Sequence, residues 1–171
     1  MPDVFTFTHR DGMSAVGTRE TDDGSALLLA VRGADCDCIA DTLTARWEKS
    51  DGALGSRLDA LLTQAGDGQA AVAALAFEKD KAAWRCSEGA AIFRFRESAR
   101  LTAPEQQSAV KEGDAFLLCT GNAASLLREE EILIDRLKAE NARQWAELLL
   151  LRIMERLQKI PEGLCLLTVR F

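Results

Sequence analysis

The stretch Asp35-Cys36-Asp37-Cys38 places two carboxylates and two thiols next to one another, directly after an apolar run. Carboxylates and thiolates are common metal ligands, so this segment raises the question of a metal site. A zinc knuckle needs a second Cys or His pair at matching spacing, and the single histidine, His9, lies far away in sequence. Apolar residues at helical spacing begin at Cys36 and predict the first turn of a helix with Asp35 as its N-cap. We therefore interpret these acids and thiols as a helix start and not as a metal or redox site.

Two further sets of polar residues could do chemistry. His9 could act as a general base only with a partner placed by the fold, and its position beside a turn predicts a surface or edge-strand histidine instead. Arg94 and Arg96 alternate with Phe93 and Phe95. That alternation predicts an amphipathic strand with one solvated side, and binding of a phosphate or acidic peptide is the alternative.

The composition limits the class of protein. A length of 171 residues with 47% hydrophobic residues predicts one globular domain, spanning 1–171. The net charge of −6 argues against nucleic acid or an anionic membrane as the main partner. No apolar run approaches the roughly 20 residues of a membrane helix. The five cysteines are an odd number in apolar surroundings, which favours reduced thiols and a cytoplasmic protein.

The elements that must position these residues follow from hydrophobic periodicity. Alternating residues predict a hairpin over 4–18 with its turn at Arg10-Asp11-Gly12, and the apolar run 25–31 predicts a central buried strand. Helical spacing predicts one helix from Asp35 to Trp47 and a second over 51–66, which Gly66 should stop.

The second half of the chain predicts a strand meander, a helical hairpin and a closing strand. These separated runs of strands and helices indicate an α+β layered architecture. The predicted strands are 69–77, 82–86, 90–97, 112–122 and 164–171, and the two helices lie within 124–160 with a break near Asn141.

Four segments in this order resemble the PPM-type (type 2C) metal-dependent serine/threonine protein phosphatases, including their bacterial members. The resemblance covers nearly the whole chain from about residue 14 onwards, and this chain would be a shortened, degenerate member. It implies two stacked antiparallel β-sheets flanked by helices, a trimmed αββα four-layer sandwich, and a role in signalling. The segments are LLLAVRGADCDCIADTLTARW, AAVAALAFEKDKAAWRCSEGAAIFRFRE, VKEGDAFLLCTGNAASLL and PEGLCLLTVRF.

The resemblance also implies where catalytic metal ligands should lie. In the family, acidic residues hold two Mn or Mg ions that activate a water for attack on a phosphoryl group. The corresponding positions here are only partly acidic. They fall on Asp22 or Asp23 for the early acidic pair, Arg32 (followed by Gly33) for the turn aspartate, Gly121 for the later aspartate, and Glu162 for the final one.

Arg32 determines the functional hypothesis. A guanidinium cannot lose its proton, so it repels dications wherever a bridging carboxylate would bind them. We therefore predict no bound metal and no catalytic residue, and we interpret the chain as a pseudophosphatase that acts as a binding or regulatory module. The alternative is a divergent active phosphatase that holds Mn or Mg through Asp22, Asp23, Glu162 and Glu88.

Two binding hypotheses accompany this interpretation. Arg19 lies near the position where the family uses an arginine to hold phosphate, so Arg19 and Arg32 together could retain affinity for an anion or a phosphoprotein. The helix over 145–157 carries apolar residues around most of its circumference. Packing against the neighbouring helix accounts for much of this excess, and a protein partner or a homo-oligomer through 145–157 is the alternative.

Overall fold

The computed structural model of the chain describes residues 2–9, 11–64, 70–101, 106–121 and 123–171. The described residues form two five-stranded antiparallel sheets. The strands are β1 (Asp3–Thr8), β2 (Ser14–Glu20), β3 (Ser25–Arg32), β4 (Ala71–Glu78), β5 (Lys81–Cys86), β6 (Ala90–Arg96), β7 (Ala99–Arg100), β8 (Gln107–Ala109), β9 (Asp114–Thr120) and β10 (Cys165–Arg170).

Each sheet has its most apolar strands at its centre. Sheet A has the order β1-β10-β9-β6-β7, and sheet B has the order β2-β3-β4-β5-β8. Every residue of β9 is buried, and so are most residues of β3 and β4. Strands covered on both faces need continuous apolar runs, which is why the run 25–31 correctly predicted a central strand.

Helices cover the outer face of each sheet. One core lies between sheet B and its helices, a second between sheet A and its helices, and a third between the two sheets. The predicted four-layer αββα sandwich is therefore confirmed. The helices are α1 (Cys36–Glu48) and α2 (Leu54–Gln64) on sheet B, and α3 (Ala123–Leu126), α4 (Glu129–Lys138) and α5 (Ala142–Leu157) on sheet A.

Helix α1 agrees with its predicted bounds to within one residue, whereas α2 begins at Leu54, three residues later than predicted. Asp35 is the N-cap residue of α1, although its side chain makes no capping hydrogen bond. The break at Asn141 is confirmed, because its side chain caps α5 by accepting a hydrogen bond from the Gln144 N–H at 2.8 Å. Gly66, the predicted stop of α2, lies outside the described residues.

The predicted hairpin of β1 and β2 is wrong. β1 pairs with β10, with Asp3 opposite Arg170, whereas β2 pairs with β3 in the other sheet. The predicted meander is interrupted in the same way, because the chain changes sheets between β5 and β6. Alternation along a strand indicates which face is buried but does not identify the pairing partner, so it could not reveal these crossings.

No helix in the described part of the chain is long and apolar enough to cross a membrane.

Candidate functional site

Several connections meet at one end of the sandwich and form what we call the turn cluster, defined by Asp11, Arg32, Gly121, Glu162 and Gly163. The Gly163 N–H donates to Asp11 Oδ2 at 2.6 Å. The Thr120 hydroxyl at the end of β9 donates to the Gly163 carbonyl at 2.9 Å. These contacts bring together strand ends from both sheets.

Arg32 lies across the glycine turns of this cluster. A Cβ atom on Gly163 would lie 2.5 Å from Arg32 Nε and 2.7 Å from Arg32 Cγ, and a Cβ on Gly121 would lie 3.8 Å from Arg32 Cδ. Gly163 also has a φ of 66°, a conformation that favours glycine. The structure thus brings together Arg32, Gly121 and the 162–163 turn, as the resemblance predicted.

The guanidinium of Arg32 has few partners. Its Nε atom is buried and has no hydrogen-bond acceptor, and no other described residue forms an ion pair with this side chain. Gly33, the next residue, donates its backbone N–H to the Met13 carbonyl at 3.1 Å and so fixes the end of β3 against the 9–13 connection. Arg32 therefore contributes to the turn cluster a positive charge that is not ion-paired with any described residue.

Asp11 is the carboxylate that holds the turn cluster together, and both of its oxygens already accept hydrogen bonds. Oδ1 accepts the Met13 N–H at 2.8 Å, and Oδ2 lies 3.0 Å from His9 Nδ1 in addition to accepting the Gly163 N–H. Burial raises the pKa of Asp11, but the hydrogen bonds from Gly163, Met13 and His9 outweigh it and hold the pKa below its ordinary value. The carboxylate fastens the 9–13 connection to the turn before β10.

The cluster does not suit the pair of hard cations that the resemblance implies. Mg²⁺ and Mn²⁺ require several convergent oxygen ligands, and the described residues contain no group of three or more acidic, His or Cys side chains that could hold a metal. Glu162 is exposed, and Arg32 lies against Gly163, the next residue. Two unit charges of the same sign at about 4 Å repel by about 4 kcal/mol at an effective dielectric of 20, and a dication doubles that value.

The predicted early acidic pair lies elsewhere. Asp22 and Asp23 occupy the turn between β2 and β3, at the far end of β3 from Arg32. The span from Ser25 to Arg32 is about 23 Å at the usual rise of a strand. Hydrogen bonds from Thr21 and the backbone of Ser25 lower the pKa of Asp23 to about 2. The assignment of these acids to the site is corrected, since they stabilise a distant turn.

The predicted pairing of Arg19 with Arg32 is also corrected. Arg19 is opposite Leu27 in the register of β2 and β3, whereas Arg32 is opposite Ser14. Five residues of strand separate them by about 16 Å. Arg19 is exposed and forms an ion pair with Glu48 at the end of α1. One small anion cannot contact both guanidinium groups.

The remaining candidate metal ligands either make structural contacts or form no ion pair with a described residue. Cys36 is buried, its Sγ donates to the Gly12 carbonyl at 3.5 Å, and burial raises the pKa of its thiol. Cys38 points to solvent, so the two thiols do not converge. Glu88 is exposed in the turn between β5 and β6, without an ion pair to any described residue.

Arg94 and Arg96 do not form the solvated strand face that the alternation predicted. Both guanidinium groups bind the buried carboxylate of Asp114, with Arg94 at 2.7 Å and Arg96 Nε at 2.5 Å. Arg94 is only 3% exposed and also lies over the ring of Trp84 at 5.3 Å. Burial raises the pKa of Asp114, but the hydrogen bonds from both arginines outweigh it and keep the pKa below its ordinary value. This group joins the two sheets at the end opposite Arg32.

Asp11, the acidic residue that binds the Gly163 N–H in the turn cluster, was not identified from the sequence. The Arg10-Asp11-Gly12 segment was interpreted as a hairpin turn, which concealed the connection between sheets. His9, predicted as a surface residue, contacts Asp11 and lies next to the turn cluster. The signal was present in the sequence as an acid after β1, but only the change of sheets gives it this position.

Known structures share this architecture. The serine/threonine phosphatase of S. agalactiae superposes with a TM-score of 0.77 at 11% identity over 99% of each chain. The phosphatase domain of SpoIIE from Bacillus subtilis gives a TM-score of 0.71 at 12% identity, covering 99% of this chain and 91% of that one. The catalytic domain of the phosphatase PstP, in complex with 2 manganese ions, gives 0.67 at 14% identity over 99% of each chain.

These likenesses confirm that the chain has the fold of the PPM-type serine/threonine phosphatases. At such low identities they establish the fold alone. No family model matches the sequence, and no curated protein matches it.

Proposed function

We propose that this chain is a pseudophosphatase, a phosphatase-fold domain that binds or regulates a protein partner without metal-dependent hydrolysis. The observation that carries the proposal is the position of Arg32, whose guanidinium lies among the turns where the resemblance implies metal ligands and forms no ion pair with a described residue. The carboxylate of Asp11 already accepts hydrogen bonds from three donors, so it has little capacity left to coordinate metal ions.

The rival function, a divergent active phosphatase, has little support from the acids available to it. Asp22 and Asp23 lie at the other end of β3, which leaves Glu162 and Glu88 as exposed carboxylates near the strand ends where Arg32 lies, together with the hydrogen-bonded Asp11. These few acids near a permanent cation form a weak site for two dications.

Manganese titration tests the proposal. We expect no rise in melting temperature with Mn²⁺ or Mg²⁺ and no metal-dependent hydrolysis of p-nitrophenyl phosphate. A metal present at 100 times its dissociation constant would add about 2.7 kcal/mol to the free energy of unfolding. Metal-dependent stabilisation together with hydrolysis would establish the active alternative.

Two variants make this test specific for residue 32. Arg32→Asp removes the cation and adds a carboxylate to the turn cluster, so a manganese response should appear in this variant first. Arg19→Asp is the matched control, because it makes the same change on β2, far from the cluster. Equal responses of the two variants would show that the charge at residue 32 does not govern metal affinity.

A phosphoprotein is the partner class that an unpaired guanidinium suits best, because arginine binds phosphate through paired hydrogen bonds. Titration of a phosphoserine peptide into wild type, Arg32→Ala and Arg19→Ala should show weaker binding for Arg32→Ala alone. Identical affinities would remove phosphate recognition from the proposal and leave an unphosphorylated protein partner.

We also propose a cytoplasmic location. The five cysteines are all free thiols, and thiols persist in a reducing compartment.

A further inference from the structure

The helices α4 and α5 form an antiparallel hairpin whose register is fixed by ion pairs. Arg152 donates to Asp135 Oδ1 at 2.7 Å, and Arg156 donates to Glu131 Oε1 at 2.5 Å. The Trp145 indole N–H donates to the Ile132 carbonyl at 3.2 Å. These contacts occupy the sides of the two helices that face each other and the core.

The outer surface of this hairpin is unusually apolar. Four of the exposed large apolar side chains in the described part of the chain lie on α4 and α5. Ile134 is 44% exposed, Leu137 is 53% exposed and Leu151 is 59% exposed. Because Arg152 faces Asp135, the antiparallel register places Leu151 level with the turn of α4 that carries Leu137. We call Ile134, Leu137 and Leu151 the outer apolar face.

Two charged residues flank this face along α4. Glu130 lies four residues before Ile134, and Lys138 lies four residues after it. Residues four apart share one side of a helix, so the three form a stripe with an acid, an apolar residue and a base. Glu130 and Lys138 are both exposed, and neither side chain forms an ion pair with a described residue.

We propose that the outer apolar face is a homodimer interface, in which α4 packs antiparallel against α4 of a second copy around a two-fold axis at Ile134. A two-fold axis at residue 134 brings residue 130 of one copy opposite residue 138 of the other. Glu130 of each copy then pairs with Lys138 of the other, while Leu137 and Leu151 lose their exposure to water.

The charge pattern is what selects a second copy as the occupant. An isologous interface must be complementary to itself, so each charge needs its opposite at the symmetry-related position. The stripe on α4 meets this condition because its acid and base are equally far from the central Ile134. This interface goes beyond the proposed binding function, and it shifts the centre of the predicted oligomer contact from 145–157 to α4.

Light scattering coupled to size exclusion, over a series of protein concentrations, tests the proposal. The wild type should move from monomer to dimer as its concentration rises. Glu130→Lys or Lys138→Glu alone converts two attractions into two repulsions and should raise the dimer dissociation constant about tenfold. The double variant Glu130→Lys/Lys138→Glu restores both pairs with reversed sign and should dimerise like the wild type.

Two controls separate dimer loss from unfolding. Glu112→Lys makes the same charge change outside the helical hairpin and should leave the dimer dissociation constant unchanged. Ile134→Asp places a charge at the two-fold axis and should give a monomer with an unaltered circular dichroism spectrum. A wild type that stays monomeric at every concentration, or single and double variants that dimerise equally, would overturn the proposal.

Discussion

Gly163 should be the least substitutable glycine of the turn cluster. A Cβ atom there would lie 2.5 Å from Arg32 Nε, 2.7 Å from Cγ and 2.8 Å from Cδ. The backbone has little freedom to yield, because the Gly163 N–H is held by Asp11 and its carbonyl by the Thr120 hydroxyl. Arg32 itself has limited room to move away, because its Nε atom is buried. We therefore expect Gly163→Ala to destabilise the fold.

The expected loss in the free energy of unfolding has two parts. The φ of 66° costs a residue with a side chain about 1–2 kcal/mol. Forcing a methyl group against a packed side chain adds about 1–3 kcal/mol. Only the second part depends on Arg32, because Arg32→Ala removes all three of the atoms that the methyl group would meet. Gly163→Ala should therefore cost about 2–5 kcal/mol in wild type and about 1–2 kcal/mol in the Arg32→Ala background.

Urea unfolding of wild type, both single variants and the double variant measures this coupling as a double-mutant cycle. Gly24→Ala is the matched control, since Gly24 has a φ of 81° with nothing within 4 Å of its Cβ position, so it should show the backbone cost alone. If the two substitutions are additive within about 0.5 kcal/mol, Arg32 does not fill the space beside Gly163.

Two other properties can be tested by stability and labelling measurements. Asp114→Asn leaves Arg94 buried without its counter-charge and should lower the free energy of unfolding in urea by about 3–5 kcal/mol. A loss under about 1 kcal/mol, the contribution of an exposed ion pair, would show that the carboxylate is not needed. The pKa of Asp114 is lowered in the folded state, so its contribution to the free energy of unfolding is present above the unfolded pKa of about 3.9. That contribution is lost as the pH falls through the folded pKa. The variant should therefore lose less stability in acid than the wild type. In a thiol-labelling time course Cys38 should react first, and Cys86 should react more slowly because burial raises the pKa of its thiol. The remaining thiols should react only after unfolding, since they are buried and burial raises the pKa of Cys119 to about 12. Early labelling of Cys119 would contradict the packing of β9.

Periodicity predicted the longer elements and an α+β layered architecture, and the family resemblance implied the two stacked sheets. Apolar runs and helical spacing depend on burial, and burial is what separates β3 and β9 at the centres of sheets from the helices outside. The short strands β7 and β8 and the single-turn helix α3 carry too few residues for a period to be recognised. The change of sheet after β1 was missed because a strand's pattern does not specify its neighbour.

Only part of the turn cluster was predicted, namely the residues that lie at or beside the ends of β3, β9 and β10. Arg32 ends β3, Gly121 follows β9 and Glu162 precedes β10, so all three lie near strand ends, where the resemblance implied that they would meet. Asp11 was hidden by the wrong pairing of β1. The ion pairs of Arg94 and Arg96 with Asp114 join residues separated in sequence. Alternation alone therefore predicted a solvated face for one buried and one half-buried arginine.

The pairing of β1 with β10 determines the order in which the domain can assemble. In sheet B, short turns join β2 to β3 and β4 to β5, while the segment with α1 and α2 lies between β3 and β4. Each of these strands pairs with the next strand along the chain, so their loop-closure entropy is smaller than that of β1. In sheet A, by contrast, Asp3 has no cross-strand partner until Arg170 has been made. During synthesis on a ribosome, sheet B can form while β1 still lacks its neighbour, and the first strand made is among the last to be incorporated.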